Sequence, residues 1–449
     1  MDTHGMSARG IFAVLAGLLV FGAPAWADPP ARVGRVSWLE GAVAFASDGS
    51  EKWETASLNY PVTSGDRIST AEEGRAEVHV GSTAIRLAPD SGASFTVIDD
   101  NTVQVRLDRG SLSVRLRRVD PDGQFEVDTQ TMSISLKDPV ALRVDQAANG
   151  DATVWARIGS VEVATGQATF TVYAGQTAGI PAADPSAYWV NSNSSVDAWD
   201  QWVAERDAAE DSVASARYVS REMDGVEDLD DNGSWEILPS YGPCWVPNVP
   251  TGIWRPYAFG RWAWVAPWGW TWIDAEPWGF APFHYGRWAQ VSGIWVWVPG
   301  AIVRHPVFAP ALVRWDGDRP GPGHPPDGAR INWTPLRPRE PYRPEYQAYP
   351  AHVHSAGEAA VPPPTPGVQL PPRTYRRPAA PQGGPAPQGG MTGPQPQRGP
   401  QPVRPPTAAP IQPRIQRAPE RPLAPDSSDE WLWRHRNMGG SGTFGRRDR

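Results

Sequence analysis

Eleven of the chain's 23 tryptophans fall between Tyr241 and Gly300, and no other feature restricts the possible folds so strongly. Within that stretch Gly260-Arg261-Trp262 leads to Trp270-Thr271-Trp272-Ile273, and Gly286-Arg287-Trp288 leads to Trp295-Val296-Trp297-Val298. A weaker first copy begins at Tyr241-Gly242. Tryptophan alternating with small or β-branched residues has period two, which sets the indoles of one strand on one face of a sheet. Gly, Pro and the Asp-Ala-Glu-Pro segment supply turns, so each copy reads as a β-hairpin unit. Two uses of the rings are open. As a core, they let short hairpins bury large area per residue, each aromatic removing roughly 150–250 Å² from water. As a surface, Trp268, Trp270, Trp272, Trp295 and Trp297, with Arg261 and Arg287, form a candidate binding surface for sugar rings or Pro-rich peptides. Indoles this dense would exceed the apolar patch a soluble protein normally exposes, which favours a core with a minority of rings outside. Arg261 and Arg287 each precede a Trp at one repeat position and read as a repeated cation–π staple.

The chain has 449 residues, with room for two or three domains, and its 50 Pro and 44 Gly require part of it to be turn-rich or unfolded. A formal charge of -8 conceals an asymmetry: residues 361–449 hold thirteen Arg against five Asp and Glu, so the rest is near -16. An acidic body with a basic tail argues against nucleic-acid binding by the body. At the N-terminus Arg9, an apolar run from Ile11 to Phe21 and Ala25-Trp26-Ala27 are ordered as a cleavable signal peptide over 1–27, with the mature chain starting at Asp28. The run is shorter than the roughly 20 residues a spanning helix needs. The expected location is therefore periplasmic or extracellular, and no later stretch reads as an integral membrane span. Cys244 is the only cysteine, so no intrachain disulfide forms, and it reads as a small buried hydrophobe.

From Val33 to Ile180 short β-prone runs such as Ala76–Val80, Ala84–Leu87, Ser94–Ile98 and Val103–Leu107 are broken by Gly and Asp turns, describing a β sandwich or solenoid. Gly34-Arg35-Val36, the run Val62 to Thr70 with Gly65-Asp66-Arg67-Ile68-Ser69-Thr70, Leu107 to Leu112 and Val172-Tyr173-Ala174-Gly175-Gln176 make residues 33–180 resemble the ferric-citrate regulator (FecR) domain. Asp138-Pro139-Val140-Ala141-Leu142 stands where that family usually has Gly-Thr-x-Phe. The resemblance implies an accessory to signalling at an outer-membrane transport system.

Residues 194–220 change period. Trp199, Trp202, Val203 and Arg206 follow helical spacing, Ser194 and Asp197 are placed as a capping pair, and Glu205, Asp207, Glu210 and Asp211 form the solvated side of one amphipathic helix. Asp228, Asp230, Asn232 and Gly233 occupy calcium-loop positions, but Pro239 stands where the bidentate Glu is required, so 227–233 reads as a solvated linker turn. Ser215 to Ser220, Glu227-Asp228-Leu229, Pro267 to Trp272, Pro277 to Trp288 and Trp297 to Gly300 resemble a domain of unknown function that follows FecR-like domains in exported bacterial proteins. That Trp/Gly-rich β-repeat domain is expected over 235–345. Residues 357–449 are Pro, Gln, Gly and Arg, too poor in apolar residues to offset their ordering entropy, and are expected to be disordered.

Asp274 and Glu276 beside aromatic rings have the residue types of a glycosidase pair, yet two carboxylates in a hairpin turn are usually turn residues. His284 is read as a structural, hydrogen-bonded ring; His305, His352 and His354 have no zinc spacing. The expectation is a mainly β chain with FecR-like domain, one helix, Trp-rich hairpins and a disordered tail. No catalytic, cofactor or metal residue is assigned. The expected role is a non-enzymatic envelope binding or scaffolding protein, its partner an envelope polysaccharide or another envelope protein. The alternatives are the signalling accessory and a cell-wall or polysaccharide hydrolase.

Overall fold

A computed structural model describes residues 29–192, 195–316 and 332–344. Residues 1–27, expected from the sequence to be a signal peptide, Ser194, His352, His354 and residues 357–449 lie outside these residues. The described fold is mainly β. Seventeen strands come first, and the long strand Thr102–Leu116 explains their arrangement. Its first half pairs with Gly92–Ile98 and, in parallel, with Gln124–Asp128. Its second half pairs with Thr83–Leu87 and Val140–Gln146, in the other sheet. The strand thus passes from one sheet to the other near Gly110, which has φ 81° and no room for a Cβ against Ser91. Period-two alternation places Val105, Leu107, Leu112, Val114, Val127, Ile134, Val144 and Val163 inward, so both sheets contribute to one apolar core.

The helix Ala198–Asp211 begins at Asp197, whose carboxylate accepts from the Asp200 N–H while Asp200 reaches back to the Asp197 N–H. It is shorter than the 194–220 expected from sequence, and a 3-10 turn, Ala214–Arg217, follows. Trp199 and Val203 bury against Ala88, and the Trp199 indole donates to Ser113 Oγ at 3.0 Å. Glu205 and Asp211 are exposed as expected, but Glu210 is buried and Asp207 half-buried. The reason is the sheet beneath: Arg86, Arg117 and Arg157 reach these acids, so the side read as solvated is an ion-paired contact. No described helix is long and apolar enough to cross a membrane.

Four hairpins follow. The first joins Gly233–Leu238 to Gly242–Pro247, so the first copy starts at Gly233 and not at Tyr241. Gly260–Val265 pairs with Gly269–Asp274, and Arg287–Val291 with Ile294–Val298. A fourth pairs Val313–Asp316 with Asn332–Pro335. Every hairpin carries a cross-strand Trp pair at the same place: Trp235 with Trp245, Trp262 with Trp272, Trp288 with Trp297, Trp315 with Trp333. The glycine two residues before the first Trp has a physical cause. A Cβ on Gly260 or Gly286 would lie 2.6 Å from the indole of Trp272 or Trp297, and one on Gly233 would collide with Trp245. The second-strand indole, with the facing backbone carbonyl at Gly260 and Gly286, fills the space a Cβ would need, so glycine fits there.

Candidate functional site

The hairpins hold their rings inside. Trp268, Trp270, Trp272 and Trp297 are all buried, as is Arg287, so five of the seven residues of the candidate surface do not face solvent. Trp295 is half-buried and Arg261 exposed. Some indole N–H groups find acceptors within the fold, Trp245 donating to Leu229 O, Trp272 to Asp274 Oδ2, Trp297 to Tyr285 O and Trp333 to Tyr257 O at 2.8–3.0 Å, while those of Trp262 and Trp288 are buried without one among the described residues. The two arginines are not equivalent staples. Arg261 stacks on Tyr60 of the first domain and donates to Ser57, whereas Arg287 is enclosed and donates to Gly286 O and Glu340 O. Identical Gly-Arg-Trp sequences meet different neighbours, and the neighbours decide.

Asp274 is a structural carboxyl. Its oxygens accept from the Trp272 indole and the Glu276 N–H, and burial pushes its pKa up to about 7. His284 donates from Nδ1 to Ala309 O, 2.8 Å away, between the rings of Phe280 and Phe308, and burial pulls its pKa down to about 3. It does not meet His305, which is exposed near Asp120. Cys244 is fully buried, its thiol pushed up to about 12.

The charged residues meet where the sandwich, the helix and the hairpins come together within one compact unit. Arg35, on the first strand of the sandwich, pairs with Glu227 at 2.8 Å and with Asp228, and donates to Asn59 Oδ1 and Pro277 O. Asn59 in turn donates to Glu276 O at 2.7 Å. Residues 227–233, read as a solvated turn, therefore form a partnered helical segment: Asp230 accepts from Ser215 N, and Asn232 donates to Asp228 O. None of it is arranged as a calcium loop. Beside Arg35, the His79 Nδ1 meets Glu227 at 2.8 Å, and its Nε2 lies 3.4 Å from both Glu77 and Glu210. Arg86 and Arg206 bind the same carboxylates.

Glu77, His79 and Glu210 place one ligand atom each within 4.8 Å of one another, a spacing that fits a metal ion. A divalent cation there would face the guanidiniums of Arg86 and Arg206, which already occupy the carboxylates. A proton on His79 suits the cluster better. Burial lowers the ring's pKa, but Glu227, Glu210 and Glu77 raise it further, leaving it well above the ordinary histidine value. The result is a balanced network of Arg35, Arg86, Arg206 and protonated His79 against Glu77, Glu210, Glu227 and Asp228.

Next to this network the domains leave a cleft of about 360 Å³. Arg32, Asp100 and Asn101 of the sandwich line one side, and Tyr285, Pro306 and Val307 of the hairpin domain the other. Its polar wall is Asp224, whose Oδ1 accepts the Gly81 N–H at 2.8 Å and whose Oδ2 lies 3.3 Å from the Tyr285 hydroxyl. Burial first, and then the Glu227 charge, hold the Asp224 carboxyl well above the usual range despite His79 and Arg35. A second cleft of about 260 Å³ lies where Arg261 crosses Tyr60, with exposed Trp264 among its lining residues. Nothing in the sequence pattern marked Asp224 or Tyr285, because they are 61 positions apart. The only available signal was Asp224 as an acid among the apolar Met223 and Val226.

Residues 226–340 match DUF6600, a family of unknown function. A search of the curated proteins finds no match. Among solved structures, two crystal structures of a putative anti-sigma factor from Parabacteroides distasonis ATCC 8503, at 1.65 and 2.50 Å resolution, are similar at 16% identity and TM-score 0.27. The similarity covers 30% of this chain and 64% or 63% of that chain, so this chain spans less than two thirds of its length.

Proposed function

We propose that this chain is an exported, non-enzymatic receptor of the cell envelope, in which the sandwich and the tryptophan hairpins together hold a small polar ligand in the cleft between them. The supporting observation is the cleft itself: about 360 Å³, within the roughly 300–1,000 Å³ of ligand sites, with polar groups converging from three chain segments. Asp274 and Glu276 give no support to hydrolysis, since Asp274 is buried with both oxygens engaged by its own turn. The expected partner is a soluble fragment of envelope glycan.

The test is thermal melting with glycan fragments released from the cell envelope. Binding should raise the melting temperature, as any ligand selective for the folded state does. Asn101→Trp, a change at an exposed lining residue, should close the cleft and abolish that rise without altering the unliganded melting temperature. A rise that persists in this variant places the ligand elsewhere and overturns the reading.

A further inference from the structure

The second cleft, where Arg261 crosses Tyr60, pairs an exposed indole with an unpaired cation. Trp264 lines it and is 46% exposed, although the other indole of the same strand, Trp262, packs against the core. The Trp264 ring is set edge-on to Trp270 at 5.4 Å and rests on Gly269, where a Cβ would lie 3.5 Å from it. An indole fixed in this way beside a polar cleft is a platform for the apolar C–H face of a sugar ring. Arg261 supplies the charge. It stacks on Tyr60, which packs on Phe45, and donates to Ser57 Oγ at 3.1 Å. Its other N–H groups have no partner among the described residues, and no described acid pairs with it. Lys52 and Glu54 line the same cleft and pair with each other at 2.8 Å, which leaves the second Glu54 oxygen and the other ammonium hydrogens open. The lining serines are engaged: Ser57 by Arg261, Ser50 by the Lys52 backbone and Ser47 by Tyr60. Thr55, which is exposed, and Ala263 complete the wall. With Lys52 and Glu54 neutralising each other, the charge of Arg261 is the surplus. A carboxylate fits it, because two oxygens match the planar guanidinium and a single charge balances a single charge. A phosphate monoester would bring further negative charge against Glu54. The volume of about 260 Å³ lies just under the roughly 300–1,000 Å³ of pockets for drug-sized ligands and suits one sugar ring.

We infer that this second cleft binds a uronic-acid saccharide, a carboxylated ring stacking on Trp264 with its carboxylate on Arg261 and its hydroxyls on the open Glu54 oxygen and the Lys52 ammonium. The site is separate from the cleft at Asp224 and does not depend on it. Calorimetric titration of the full chain with cellobiouronic acid and with cellobiose, which differ at one C6 group, tests it. The acid should bind about tenfold more tightly, the scale of one charge-assisted bidentate contact. Arg261→Gln should remove that preference. Trp264→Ala should weaken both sugars alike, and Trp264→Tyr, which keeps a ring face, should retain binding. Failure of both sugars to bind overturns the inference, as does equal affinity for the two. A preference that persists in Arg261→Gln belongs to the thirteen arginines of residues 361–449, which that change leaves in place, and overturns it as well. Unchanged affinity in a folded Trp264→Ala protein removes the stacking and with it the saccharide. Succinate binding as tightly as the uronic sugar shows a site that reads charge alone, which also overturns the assignment. Asn101→Trp, in the lining of the first cleft, should leave the titration as it is; loss of binding there puts the sugar in that cleft and overturns the inference for this one.

Discussion

His79 and His284 are both buried, yet the fold keeps a proton on one and off the other. His284 meets a carbonyl and two phenylalanine rings, with no acid to compensate its desolvation. Its folded pKa of about 3 is below the unfolded value of about 6.5, so its contribution to stability is present above pH 6.5 and is lost as pH falls toward 3. At roughly 1.4 kcal/mol per unit, the loss is on the order of several kcal/mol. His79, surrounded by three carboxylates, has the opposite sign: its contribution is complete below pH 6.5 and is lost as pH rises through its elevated folded pKa. We predict that His284→Phe, which leaves the Ala309 carbonyl unpaired, costs about 1–3 kcal/mol at pH 7. The deficit should shrink by pH 4.5, because the variant has no ring to charge. Urea midpoints at the two pH values measure it, and an unchanged gap between variant and wild type would show that the ring's neutrality is not what the fold enforces.

At the scale of elements, the Gly-x-Trp hairpins are the part of this structure most legible in the sequence, since period-two indoles and turn residues are local signals. The glycine is the informative position. Gly260→Ala should destabilise the protein by about 1–3 kcal/mol, the usual cost of overpacking, because the new methyl meets both the Ile273 carbonyl and the Trp272 ring. Gly166→Ala, with nothing within 4 Å, is the matched control and should be nearly neutral in the same thermal melt. Equal effects would mean that the facing strand and the indole both yield freely. The fourth hairpin lacks the local signal of the others: Val313 stands where they have glycine, and residues 317–331 separate its strands. Which face of each hairpin is covered was not legible at all. Trp264 is 46% exposed and Trp270 only 8%, although they are cross-strand partners with similar sequence surroundings. Burial there is set by elements distant in sequence, such as Phe308 against Trp268.

For the whole molecule, the ion network at the junction is the decisive feature, and sequence patterning pointed away from it. Glu77 and His79 alternate with Ala76, Val78 and Val80, the pattern of a strand with one wet face. Here the wet face is covered by an acidic helix, and the complementary clue was a set of arginines, Arg86, Arg143 and Arg157 on strands and Arg117 just beyond one, opposite acids at the cap and along that helix. Glu77 is central: it accepts from Arg86, Arg206 and Ser37 and faces His79. Replacing it by Gln keeps the shape but leaves two guanidiniums and a protonated imidazole with one fewer counter-charge. Removing one partner of a buried ion pair typically costs about 3–5 kcal/mol, far more than the pair's net contribution to stability, because the remaining charges stay desolvated. Glu54→Gln supplies the contrast, since its pair with Lys52 is exposed and should matter by no more than about 1 kcal/mol. We predict that Glu77→Gln lowers the urea midpoint sharply and separates two transitions, with tryptophan fluorescence from the hairpins changing before the β-sheet circular dichroism of the sandwich. A variant that unfolds in one transition, at the same midpoint as Glu54→Gln, would show that the two domains are held together by their apolar contacts and that the charges are incidental.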